Sequence, residues 1–124
     1  MPATATRMEE DNVEVDTGKV TIVPGTMTEP QCATFCLQDE DHTLGNALRW
    51  VLMKNREVDF ASYSIPHPSE TRTNLRIQTS DKTTAVDTMF KGLDDLSDIC
   101  SHVIQTFQAE LAKGEFEYFE DGAF

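Results

Sequence analysis

Along residues 32 to 38, CATFCLQ, apolar and polar positions alternate and set Ala33, Phe35 and Leu37 on one face, the period of a half-buried strand. The acidic run Asp39, Glu40, Asp41 ends it. After His42 and Thr43 the period changes. Leu44, Ala47, Leu48, Val51 and Leu52 share one face of a helix, with Asp41 or Thr43 as its N-cap. Lys54, Asn55 and Arg56 suit its far end, where the helix dipole favours positive charge. Residues 58 to 65, VDFASYSI, alternate again and predict a second strand, closed by Pro66 and Pro68, which cannot continue a ladder. Residues 73 to 79, TNLRIQT, predict a third, with Leu75 and Ile77 inward and a short connection that makes the last two strands antiparallel.

The final element is the longest. From about Thr84 to Lys113 there is no proline, and Val86, Met89, Leu93, Leu96, Cys100, Val103 and Phe107 recur at alternating steps of three and four, which predicts a helix. Phe90, Ile99, Ile104 and Leu111 widen its apolar face. Gly92 sits inside it at a cost of about 1 kcal/mol relative to alanine, which fits close approach of another backbone or simple tolerance. The expected fold class is α+β: a small antiparallel sheet with a short helix and a long C-terminal helix.

Lengths turn this pattern into a statement about partners. Thirty helical residues span roughly 45 Å, whereas a seven-residue strand spans roughly 23 Å and three strands are roughly 10 to 15 Å across. The helix overhangs its own sheet, yet Cys100, Val103, Ile104, Phe107 and Leu111 keep its far half apolar. A first helix of about a dozen residues cannot cover both the sheet and that half. Exposing such a stripe forgoes several kcal/mol of burial, so a dimer mediated by the helices is expected.

Composition narrows the choice of partner. The chain has 124 residues with 22 acidic against 10 basic side chains, a net charge of −12, enough for one domain but not for two lobes around a deep cleft. Such a charge repels phosphate backbones and acidic lipid surfaces, which leaves proteins as the expected partners and no direct contact with nucleic acid or membrane. The charge is uneven: residues 1–31 carry six acids against Arg7 and Lys19, and residues 114–124 carry Glu115, Glu117, Glu120 and Asp121 with no base. The chain accordingly divides into an acidic, mostly disordered tail over 1–31 with a short strand at Val20 to Val23, a folded unit over 32–113, and an acidic aromatic tail over 114–124. That last tail, with Phe116, Tyr118, Phe119 and Phe124 among its acids, reads either as a docking peptide or as a frayed end.

No apolar run reaches the roughly 18 to 20 residues of a membrane helix, and no signal sequence is evident, so a soluble intracellular protein is expected. Cys32 and Cys36 fall on one strand about 13 Å apart, too far for a disulfide or a shared metal, and reduced thiols are expected. His42 beside three acids has the residue types of a metal or acid–base cluster, but this grouping is ordinarily a solvated turn with a capping role. His102 lies among polar positions of the long helix. No phosphate loop, Ser/His/Asp grouping or CxxC pair is present, so no catalytic residue, metal or cofactor is expected.

The order strand, helix, strand, strand, long helix, together with DHTLGNALR (Asp41 to Arg49), YSIPHPSE (Tyr63 to Glu70), LRIQT (Leu75 to Thr79) and TTAVD (Thr83 to Asp87), resembles the small alpha-like subunit of eukaryotic RNA polymerases, with the archaeal L subunit and the dimerisation domain of bacterial alpha as relatives. The SIPHPSE and IRIQT-like text resembles the form shared by RNA polymerases I and III. His42, Thr43, Leu44, Gly45, Asn46, Ala47, Leu48 and Arg49 match the family motif, while Arg56 and Ala61 depart from the usual Pro and Gly. The resemblance implies a non-catalytic assembly subunit in the nucleus, including the nucleolus. It implies pairing through the helices with a larger alpha-like subunit, and the pair supporting the two large catalytic subunits. Leu44, Ala47, Leu48, Val51, Leu52, Leu96, Cys100, Val103, Phe107 and Leu111 are the expected interface, and Pro66, His67, Pro68, Ser69 and Glu70 an expected loop for contact with a neighbouring subunit. The competing reading is a small homodimeric enzyme of the pterin-dehydratase kind, suggested by His67 between two prolines, although Pro66 stands where a second histidine would be wanted.

Overall fold

Strands and helices arise where the periods place them. The computed structural model describes residues 18–118; the parts of the expected tails at 1–17 and 119–124 lie outside the described residues. The elements are β1 (Val20–Ile22), β2 (Cys32–Gln38), α1 (His42–Met53), β3 (Val58–Ser64), β4 (Arg72–Thr79) and α2 (Ala85–Lys113). They form one four-stranded antiparallel sheet in the order β1-β2-β4-β3. The short strand expected at Val20 to Val23, inside the acidic segment 1–31, is β1, which pairs with β2 from Val20 opposite Leu37 to Ile22 opposite Phe35.

Alternation decides which side of the sheet is covered. Ala33, Phe35 and Leu37 on β2, with Leu75 and Ile77 on β4, are buried in one cluster with Leu48 and Leu52 of α1 and Ala85 and Met89 of α2. In β3 a register shift between Val58 and Phe60 breaks the alternation. Val58 and Ala61 consequently join the core while Phe60 is exposed, as expected of a bulge that resets strand phase.

Caps fix where the helices begin. The Asp41 carboxylate accepts from the Thr43 N–H at 3.0 Å, so Asp41 is the N-cap of α1 and Thr43 is its first-turn donor. Thr84 caps α2 by accepting from the Asp87 N–H at 3.2 Å, and Gly114 ends it with φ 68°, where a side chain would be strained. Inside α2 a Cβ on Gly92 would stand 2.8 Å from Leu52 Cδ2. The close approach that the sequence suggests is thus by a buried side chain of α1, and not by a backbone.

Candidate dimerisation surface

The first half of α2 packs on the sheet and on α1, and the second half has left both behind. At 29 residues α2 is about 44 Å long, whereas α1 has 12 residues and spans about 18 Å. Met89, Leu96 and Val103 lie in one row at steps of seven, as do Leu93, Cys100 and Phe107. The rows begin in the core and end in solvent: Met89 is 3% exposed, Val103 60% and Phe107 64%. Ile104, Leu111 and Phe116 extend the exposed stripe, and Phe116 meets Tyr118 edge to face at 5.3 Å. No helix among the described residues is long and apolar enough to cross a membrane.

The expected interface residues separate into three groups. Leu48, Val51 and Leu52 are buried inside the chain, so their side chains serve its own core and are unavailable to a partner. The helical period shows them as one apolar face but not that the sheet and α2 already cover it. Leu44, Ala47 and Leu96 are half-buried, Leu44 and Leu96 at the edge of the core. Cys100, Val103, Phe107 and Leu111 are exposed. Two residues passed over by the sequence reading also reach the surface: Trp50 and Met53, on the outer side of α1. The Lys54 ammonium stands 4.8 Å from the Trp50 ring centre, and Trp50, Arg56, Lys91, Asp98 and Ile99 line a cleft of about 620 Å³ between the two helices. A tryptophan on the polar side of a helical period was the available signal.

The motif residues have structural tasks. Gly45 lies under Tyr63 and Thr73; a Cβ there would stand 2.8 Å from Tyr63 Cδ2 and 3.1 Å from Thr73 Cγ2. His42 Nδ1 is 2.9 Å from the Tyr63 hydroxyl, with the two rings edge to face. Asn46 Oδ1 accepts from Arg49 Nε and Nη2, and the Thr73 hydroxyl donates to the Glu40 carbonyl at 2.8 Å. DHTLGNALR thus fastens the start of α1 to β3 and β4. Gly45→Ala is expected to force Tyr63 aside and to lower stability by about 1–3 kcal/mol, measured by urea unfolding of the isolated chain.

The loop from Pro66 to Glu70 is fully exposed and internally braced. The Glu70 N–H donates to the His67 carbonyl at 3.0 Å, and His67 Nδ1 is 2.6 Å from the Ser69 hydroxyl. Arg72 Nε donates to the Glu70 carboxylate at 2.7 Å, and this hydrogen bond holds the guanidinium above its ordinary pKa. His67, His42 and His102 have separate partners, Ser69, Tyr63 and Thr106. Among the described residues no group of three or more His, Cys, Asp or Glu side chains is arranged to hold a metal ion.

Comparison with known proteins adds to this geometry. Residues 32–106 match the family described as the RNA polymerase Rpb3/Rpb11 dimerisation domain. A Schizosaccharomyces pombe protein described as DNA-directed RNA polymerases I and III subunit RPAC2 is 54% identical over 101 residues, covering 82% of this chain and 81% of its own. The Dictyostelium discoideum protein described as DNA-directed RNA polymerases I and III subunit rpc19 is 54% identical over 96 residues, 77% of this chain and 80% of its own. A Caenorhabditis elegans protein described as a probable DNA-directed RNA polymerase II subunit RPB11 is 48% identical over 67 residues, 54% of this chain and 55% of its own. In three dimensions the fold matches the crystal structure of DNA-directed RNA polymerase subunit L from Thermoplasma acidophilum, with a TM-score of 0.65 at 20% identity over 82% of this chain and 96% of that one.

Proposed function

The chain belongs to the RNA polymerase Rpb3/Rpb11 dimerisation-domain family, and from that premise we propose that it is the small alpha-like, non-catalytic assembly subunit of DNA-directed RNA polymerases I and III. The observation that carries the reading is the second half of α2, whose apolar rows continue out of the core with nothing among the described residues over them. A dimerisation domain has a use for such a face; a self-contained enzyme would bury it. The class is supported by the relatives: likeness to subunits described for polymerases I and III extends over 82% and 77% of the chain, against 54% for the polymerase II relative.

The partner in this reading is the larger alpha-like subunit, packed on Cys100, Val103, Phe107 and Leu111, with Leu44, Ala47 and Leu96 at the margin. The loop from Pro66 to Glu70, rigid and projecting, is the contact for a large catalytic subunit. The pair supports assembly of the two large subunits that transcribe rRNA, tRNA and 5S RNA. The protein works in the nucleus, with its polymerase I share in the nucleolus. The net charge of −12 suits a position away from the nucleic-acid channel.

Affinity purification of the tagged chain from its own cells tests this. The large subunits of polymerases I and III should come with it in comparable amounts. Recovery with polymerase II alone would overturn the class, and recovery as a free homo-oligomer that binds a pterin would favour the enzyme reading.

A further inference from the structure

The row that carries Met89, Leu96 and Val103 at steps of seven arrives next at Glu110, so a carboxylate stands where the apolar seam of α2 should continue. Glu110 and Glu115, with Phe107, Leu111 and Phe116, line a depression of about 360 Å³ at the end of the helix. The ion pair between Glu110 and Lys113, at 3.2 Å, leaves both side chains about 60% exposed, so water screens it and it compensates the carboxylate only weakly. The surroundings are predominantly acidic. Residues 94–118 hold Asp94, Asp95, Asp98, Glu110, Glu115 and Glu117 against Lys113, six carboxylates to one lysine and a net of −5.

An uninterrupted apolar seam pairs with any similar seam, including its own copy. A single charged residue in such a row weakens indiscriminate pairing and favours the partner that answers it. We infer that Glu110 and the acids that follow α2 turn the seam away from a second copy of this chain and toward a partner helix with lysine or arginine facing Glu110. The inference rests on the α2 seam being the partner surface. Two copies meeting through α2 would bring −5 against −5 to packed helices about 8–10 Å apart, a distance comparable with the screening length at physiological salt. A basic partner removes that repulsion, and the cation can also lie against the Phe107 or Phe116 ring.

The test needs only this chain. A full-length Glu110→Lys/Glu115→Lys/Glu117→Lys variant stands in for the basic partner, and its association with the wild-type chain is followed by sedimentation velocity. The mixture is expected to form a 1:1 dimer at least tenfold tighter than the wild-type homodimer and to weaken as salt is raised, while wild-type self-association strengthens with salt. A Glu29→Lys/Asp59→Lys/Asp81→Lys variant carries the same charge change away from the exposed second half of α2. If it pairs with wild type as tightly, or if the first mixture is no tighter than wild type alone, the inference is overturned. Glu110→Leu gives a second arm by completing the apolar row: self-association at least tenfold tighter than wild type supports the inference, and unchanged self-association overturns it. Failure to recover polymerase subunits from cells would count against the proposed function and would leave these measurements intact.

Discussion

Phe107→Asp is expected to abolish co-purification with the larger alpha-like subunit and to leave the isolated chain folded. Phe107 is 64% exposed and stands about four turns beyond the last buried residue of α2, Gly92. Replacing it costs the free chain about 0.5 kcal/mol or less, the usual range for surface substitutions. In a complex that covers the stripe, the aspartate would be an unpaired carboxylate pressed into an apolar contact. The penalty is about 3 kcal/mol or more, roughly a hundredfold or greater loss of affinity. The check is paired: recovery of the partner on the tagged variant, and thermal unfolding of the variant alone. A wild-type melting curve with no partner supports the assignment. An intact heterodimer would exclude Phe107 from the interface.

The opposite pattern is expected at Leu48. Its side chain is 0% exposed, enclosed by the sheet and α2, so Leu48→Ala leaves a cavity in the core of the free subunit. The expected loss is about 2–5 kcal/mol, a large part of the roughly 5–15 kcal/mol that holds a domain of this size together. Urea unfolding of the isolated chain measures it as a lower midpoint with little change in slope. Any loss of partner should then track the fraction unfolded. Wild-type stability together with lost pairing would return Leu48 to the interface. Leu48 and Phe107 thus separate the two uses to which one apolar periodicity is put.

Much of the scaffold was legible in the chain. The alternation of CATFCLQ and TNLRIQT located β2 and β4, the three-and-four spacing located both helices, and the strand at Val20 was visible. Its membership of the sheet was not, because three residues carry too little pattern to show that they pair with β2. The bulge at Val58 and Phe60 was equally hidden: alternation reads straight through it, and only the register with β4 shows the slip. The candidate site was half legible. Cys100, Val103, Phe107 and Leu111 are exposed as the length argument requires, whereas Leu48, Val51 and Leu52 are not, and Trp50 and Met53 went unnoticed.

The order of elements, the faces they bury, the caps and the acidic balance are local properties, set by residues within a few positions of one another, and they can be read from the chain alone. The apolar rows of α1 and α2 are equally local, and they look alike along their whole length. Whether a given leucine, valine or phenylalanine in those rows is core or contact surface depends on what lies across from it. The sheet lies beneath Leu48 and Met89, α1 closes over Gly92, and neither reaches Val103 or Phe107. That division is made by the mismatch between a 12-residue and a 29-residue helix docked on the same small sheet, a relation that exists only once the chain has folded.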